Sequence, residues 1–214
     1  DFDHLRGLYY ILEQFSVREF LCNGSWPSGW DGRRLTAALD RHGVPARSLE
    51  AGEVLHLQPG LRLEVLHPTA PSGIKRKNNR SLILRLASRD RGLALFPGDA
   101  ENEALKELMR GPTGLQAELL VVPHHGSKSS LLPAFYREVA PDLAVVSCGF
   151  LNIFRFPHPR VAGALQDQGI QLLSTAEHGM VEVSWDPTGE GMQVRTGIRR
   201  QKTEVRRHRS LWLR

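Results

Sequence analysis

Four short clusters in this 214-residue chain combine the residue types that perform metal and acid–base chemistry. The first, Asp1-Phe2-Asp3-His4, sets two carboxylates and an imidazole within four residues, just ahead of a helical pattern. That is the density of a metal-ligand set. Asp at the start of a helix is equally well explained as a cap that satisfies the helix dipole. The second, Phe96-Pro97-Gly98-Asp99, delivers a carboxylate through a tight glycine turn at the end of an apolar run. The position suits a ligand that bridges metals. Taken alone, capping of the helix that follows near Glu101 is the stronger reading.

The third cluster is Val121-Val122-Pro123-His124-His125-Gly126-Ser127-Lys128. Adjacent histidines at the exit of a buried strand are hard to explain by packing, and the following Gly-Ser-Lys suits an anion-binding loop. The fourth is Phe156-Pro157-His158-Pro159. Each proline fixes its own φ and restricts the residue before it, so His158 is held stiffly, for chemistry or for structure. His42, His56, His67, His178 and His208 do not cluster, and they read as ordinary surface or core residues.

Periodicity supplies the elements that position these clusters. Apolar spacing predicts helices at Gly7–Phe15, at 33–42 with Asp31 as a cap and Gly43 as the stop, at 101–110, near 132–139 and at 160–167. Strands are predicted at 17–22, 54–57, 61–67, 81–87, 92–96, 118–122, 143–147, 170–173 and 180–185, with a weaker one near 192–195. Residues 68–80 read as a polar loop. Strands alternating with helices, beside hairpin-like strand pairs, argue for a layered α/β fold with a mixed sheet. Each cluster falls at a strand end or in a loop, where sites in such folds belong.

Composition sets the outer bounds. Hydrophobic residues make up 41% and charged residues 24%, ordinary for a soluble globular chain. No run approaches the roughly 18 apolar residues of a membrane span, and there is no signal-peptide pattern. The chain does not begin with Met and opens inside a motif, so it reads as a fragment of something longer. Its charge of +5 is concentrated: residues 195–214 hold eight of the 28 basic residues against one of the 23 acidic ones. The body is slightly acidic, so the overall charge says little about partners. The tail is either a contact for DNA or an anionic membrane surface, or a solvated, flexible end. The expected division is a domain over 1–186, then a terminal strand and basic tail over 187–214. Cys22 and Cys148 are too few for a disulfide framework, and they read as small buried hydrophobes.

The order Asp-x-Asp-His, Gly-Asp, His-His-Gly-Ser resembles the metallo-β-lactamase superfamily. Its signature is His-x-His-x-Asp-His after a strand, then a bridging Asp and a final His. The resemblance is strongest to the C-terminal domain of ComEC-type DNA-uptake proteins, in which Asp replaces the second His of the signature. Asp3-His4-x-x-Gly7, Asn78-Asn79-Arg80-Ser81, Gly98-Asp99, Pro123 to Lys128 and Pro157-His158-Pro159 occur in the ComEC order and at similar spacing. The match covers about residues 1–185. It implies a metallo-β-lactamase-like αββα sandwich, here expected to lack its first strands and the signature's first His. The family's middle histidine has no evident counterpart, and Asn79 lies near its place.

The resemblance further implies a metal-dependent nuclease that degrades the strand not imported during transformation. The parent would be an inner-membrane protein, with this domain on the exported side and joined to the membrane channel portion of the same polypeptide. The implied metal ligands are Asp1, Asp3, His4, Asp99 as the bridge, and His125. Set against the superfamily's Val-Val-Pro-Gly-His-Gly, the third cluster places His125 on the ligand and His124 on the glycine. Asp3, His125, Lys128 and His158 are the expected catalytic residues, and Asn78, Asn79, His124, Ser127 and Lys128 the expected substrate contacts. An oxygen-rich ligand set favours two Mn²⁺ ions, with Zn²⁺ second. No organic cofactor is implied, and no base-reading motif is visible, so DNA would be held through its backbone. Two rivals stand: a hydrolase of small esters or thioesters on the same fold, and a non-catalytic DNA-binding or scaffolding domain.

Overall fold

The computed structural model describes residues 2–69, 76–112, 114–186 and 191–198; the side chains of Phe2, Asp3 and Arg6 lie outside that description. The chain runs α1 (Phe2–Gln14), β1 (Phe20–Cys22), α2 (Gly29–His42), β2 (Ala46–Ser48), β3 (Val54–Gln58), β4 (Leu61–His67), β5 (Ile83–Ser88), β6 (Arg91–Phe96) and α3 (Asn102–Leu108). It continues through β7 (Leu119–Val121), α4 (Pro133–Val139), β8 (Leu143–Val146), α5 (Pro159–Gln166), β9 (Gln171–Ser174), α6 (Thr175–His178), β10 (Val181–Trp185) and β11 (Met192–Thr196).

Strands β3 to β9 form one seven-stranded sheet in sequence order. The pairs from β3 to β6 are antiparallel, and those from β6 to β9 are parallel. Successive side chains on a strand face opposite sides, and both sides of this sheet are used. Leu95, Leu120, Ala144 and Val146 meet α3, α4 and α5 through Leu105, Phe135, Tyr136, Val161 and Leu165. Their neighbours Ala94, Leu119 and Leu143 meet the β10–β11 hairpin, around Met192, Val183 and Trp185. Burial on both faces explains why β6 to β8 read as near-continuous apolar runs. The layered, mixed α/β architecture expected from the sequence is the one the chain adopts.

Arg85 is the charged intruder in this sheet. It is 9% exposed, and its guanidinium donates to Glu64 Oε2 (2.7 Å) and to the Gln116 carbonyl (3.0 Å). Gly92 makes the room, since a Cβ there would lie 1.9 Å from the Gln116 oxygen and 2.6 Å from the guanidinium.

Several details differ from the sequence reading. Asp31, expected to cap the helix at 33–42, lies inside α2, whose N-cap is Ser28. Phe2, Asp3 and His4 of the first cluster lie within the first turn of α1 instead of ahead of it. The apolar stripe starts earlier than expected, with Leu5, Leu8 and Leu12 packing on Leu35, Leu39 and Val44. The predicted strand at 17–22 shortens to β1, which pairs only with β2 among the described residues. All three β2 residues are exposed, so it had no apolar alternation to announce it. Cys22 and Cys148 are free and half-buried instead of buried. The basic stretch 199–214 lies outside the described residues.

Candidate metal centre

Strands β6, β7 and β8 run parallel and side by side, so their carboxyl ends open on one edge of the sheet. Loops at that edge are where parallel sheets gather functional groups. After β6, Gly98 turns the chain with φ 57° and delivers Asp99. The turn is held on two sides. The Gly98 carbonyl accepts from the His124 amide (2.9 Å), and the Asp99 amide donates to Ser81 Oγ (3.1 Å). That hydroxyl in turn donates to the Asn78 carbonyl (2.7 Å).

After β7, His124 and His125 both take left-handed backbone conformations, φ 50° and 54°, followed by Gly126 at 77°. Such conformations cost about 1–3 kcal/mol each for non-glycine residues and persist only where the surroundings impose them. Here the imposition comes from the fourth cluster. The Gly126 carbonyl accepts from the His158 amide (2.9 Å), and a Cβ on Gly126 would lie 2.7 Å from Pro157 Cβ. The two loops are packed backbone against ring, and the strained turn aims the imidazoles.

His4, Asp99 and His125 converge there. His4 Nε2 lies 3.0 Å from Asp99 Oδ2, and His125 Nε2 lies 3.5 Å from Asp99 Oδ1. One potential ligand atom from each residue falls within 4.8 Å of the other two. His125 Nδ1 is 2.9 Å from the Ser147 carbonyl at the end of β8. A carbonyl only accepts, so in the neutral ring the proton sits on Nδ1 and Nε2 turns its lone pair toward Asp99. This is how a metal-ligating imidazole is oriented. Two imidazole nitrogens and a carboxylate fit a divalent ion of borderline softness. Burial pushes the Asp99 carboxyl up; the His4 hydrogen bond, with the positive charge that His4, His125 and His124 carry when protonated, outweighs it and holds the carboxyl below its ordinary value.

His124 faces elsewhere. Its Nδ1 lies 3.1 Å from Ser129 Oγ and 3.6 Å from Glu101 Oε1, and its Nε2 lies 3.4 Å from Asn78 Nδ2. With the Asn78 amide donating to Nε2, the ring proton sits on Nδ1 and points at the serine and the glutamate. Asn79, expected at the substrate, is 1% exposed and serves α3 instead. Its Oδ1 accepts from the amides of Glu101 (2.9 Å) and Ala104 (3.3 Å), and its Nδ2 donates to Glu103 (3.0 Å). A helix start leaves its first amides without intrahelical partners, and Asn79 satisfies two of them from another segment.

Ser127 accepts from the Ser129 amide and starts the short 3₁₀ turn Lys128–Ser130, with Lys128 exposed. His158 caps α5: its Nδ1 accepts from the Arg160 amide (3.2 Å), so Nε2 carries the proton of the neutral ring. Asp1 lies outside the described residues, and of Asp3 only the helical backbone is described. The sequence reading passed over Ser81, Ser129 and the Ser147 carbonyl, which orient the ligand candidates. It named Phe156 in the fourth cluster without a role, and that ring stacks on His125 (centroids 6.2 Å, 21°). Only the aromatic residue before Pro-His-Pro hinted at it.

No family model matches the chain. It is 30% identical to ComE operon protein 3 of Bacillus subtilis over 183 residues, 85% of this chain and 23% of that protein. It is 33% identical to Recombination protein 2 of Haemophilus influenzae over 186 residues, 86% of this chain and 21% of that protein. Competence protein ComA of Neisseria gonorrhoeae is 32% identical over 124 residues, 58% of this chain and 18% of that protein. The chain is a ComEC-type domain. It spans between 18% and 23% of the length of these relatives. A metallo hydrolase from the archaeon Ignicoccus hospitalis superposes with a TM-score of 0.48 at 12% identity, over 81% of this chain and 72% of that one. Among the described residues of this ComEC-type domain, no helix is long and apolar enough to cross a membrane.

Proposed function

We propose that this ComEC-type domain is a metal-dependent nuclease that hydrolyses DNA phosphodiesters during competence, degrading the strand that is not imported. The observation that carries the reading is the convergence of His4, Asp99 and His125, with the His125 lone pair set toward Asp99 by the Ser147 carbonyl. Similarity to Competence protein ComA and Recombination protein 2 supports DNA as the substrate class. Asp1 and Asp3 belong to the proposed ligand set with these three, for Mn²⁺ first and Zn²⁺ second. A divalent ion bound there supplies a Lewis acid and a water of lowered pKa.

The chain's own groups supply the rest. Asp99 keeps its charge because two imidazoles face it, and its main-chain amide is anchored on Ser81. Lys128 offers an exposed ammonium to a non-bridging phosphate oxygen, and Ser127 a hydroxyl. His124, braced by Asn78 and Ser129, is the third proposed phosphate contact. We assign His158 the contact with the leaving oxygen, its Nε2 being the ring nitrogen that the Arg160 amide does not engage. The contacts are with phosphate, so cleavage is sequence-independent. In this reading the domain is carried by a membrane-bound parent on the exported side.

The test is digestion of single- and double-stranded DNA by the purified protein, with Mn²⁺, with chelator, and with Asp99→Ala. Cleavage that needs the metal and is lost in the variant is the expected result. Metal-loaded protein that binds DNA without cutting it would mean a scaffolding domain. Turnover confined to small esters or thioesters would mean the other hydrolase.

A further inference from the structure

The segment Gly149–Arg155, between β8 and the Pro-His-Pro cluster, exposes Phe150 (78%), Ile153 (87%) and Phe154 (69%). Exposed apolar side chains gathered in one place mark a binding surface more often than chance. This loop is built: Asn152 Nδ2 donates to the carbonyls of Gly149 (3.1 Å) and Phe156 (3.0 Å), and its Oδ1 accepts from the Phe156 amide (2.7 Å). The bracing holds the rings in register. Phe154 stacks on Phe156 with centroids 5.4 Å apart and planes 19° apart, and Phe156 stacks on His125 at 6.2 Å and 21°. Three nearly parallel rings therefore step outward from the metal centre to solvent, and the backbone between the two phenylalanines carries exposed Arg155.

We infer that the outer face of Phe154, backed by Phe156, is a stacking platform for the unpaired bases of a single nucleic-acid strand whose backbone enters the His4–Asp99–His125 centre. The inference rests on the nuclease reading and names its substrate form. Bases stack on aromatic faces whatever their sequence, while a base paired inside a duplex keeps its faces covered. The stacked order of His125, Phe156 and Phe154, with one exposed arginine beside it in the chain, suits a strand of stacked bases with phosphates alongside. A lipid surface has no use for that order.

The experiment measures fluorescence anisotropy of a labelled oligothymidine and of a blunt duplex in chelator, then Mn²⁺-dependent cleavage of both. The wild-type protein is compared with Phe154→Ala, Phe154→Leu and Phe154→Trp. Phe154 is mostly exposed, and a thermal melt verifies that each variant folds. Alanine and leucine should weaken single-strand binding and raise its KM about fivefold or more, with the single-strand to duplex preference falling in step. Tryptophan should restore both. A wild-type protein that cuts single strands, with Phe154→Ala leaving the preference unchanged, overturns the platform and leaves the nuclease reading standing. A wild-type protein that neither binds nor cuts any DNA overturns both. Sedimentation with phosphatidylcholine–phosphatidylglycerol vesicles that leucine supports as well as phenylalanine would assign the loop to lipid and overturn the platform.

Discussion

Replacing Gly126 with alanine tests whether the two histidine loops are as tightly joined as their geometry implies. The position has φ 77°, where an L-residue costs about 1–2 kcal/mol. The new Cβ would also sit 2.7 Å from Pro157 Cβ and 3.0 Å from Pro157 Cα, with Val146 closing the far side at 3.8 Å. Relief requires moving a proline ring or the histidine turn, an overpacking cost of about 1–3 kcal/mol. The sum, about 2–5 kcal/mol, corresponds to a melting point lower by ~4–20 °C in a chain of this size. Gly43→Ala is the control: it has φ 64° with no atom within 4 Å of the added Cβ, so it carries the backbone cost alone. The second readout is Mn²⁺ or Zn²⁺ affinity by calorimetry. Displacing the turn breaks the Ser147 hold on His125, and losing such an orienting contact weakens metal binding about 10- to 100-fold. Gly43→Ala should bind metal as the wild type does. If Gly126→Ala melts no lower than Gly43→Ala and keeps its metal affinity within about twofold, the close packing of the two loops does not govern the site.

Four other outcomes follow from the same geometry. The Asp99 carboxyl is held below its ordinary 3.8, so its contribution to stability is present above that pH and is lost as pH falls through the lower folded value. Denaturant titrations of metal-free wild type and Asp99→Asn should therefore differ above about pH 4 and converge in stronger acid. Asn79→Ala removes the hydrogen bonds to the amides of Glu101 and Ala104, and urea unfolding should report a loss of about 1–2 kcal/mol. Phe135→Ala empties a fully buried position against the sheet and should cost about 3–5 kcal/mol in the same assay. Divalent metal at about one hundred times its dissociation constant should stabilise the protein by about 2.7 kcal/mol, and chelator should reverse it; an unchanged melt would mean that no ion binds.

The proposed site was legible in residue types because groups able to hold a metal or move a proton belong to a short list, and here they fall into four short clusters, one in the first turn of α1 and three in loops that follow strands. The helices and most strands were legible for a related reason: apolar period reports burial, and the strands of the central sheet inside its exposed edge strand β3 bury at least one face. Element order therefore gave the layered α/β class, and the motif order pointed to the ComEC family. Elements without burial contrast stayed hidden, as the exposed strand β2 shows.

Which atoms meet was decided by tertiary structure alone. His4 and Asp99 are distant in sequence, and they touch because α1 is carried to the edge where parallel β6 and β7 end. Nothing local in His124-His125 distinguishes the two imidazoles; the carbonyl of Ser147, just past the end of β8, turns one toward Asp99, while Asn78 and Ser129 hold the other away. Asn79 carries the same side chain as Asn78 yet is committed to the start of α3, because the helix amides there have no other partner. Sequence determines which groups a chain can bring to a site, since that is covalent chemistry. Strand order and loop packing determine which of them arrive and which way their lone pairs point, since those follow from contacts between segments that no local pattern encodes.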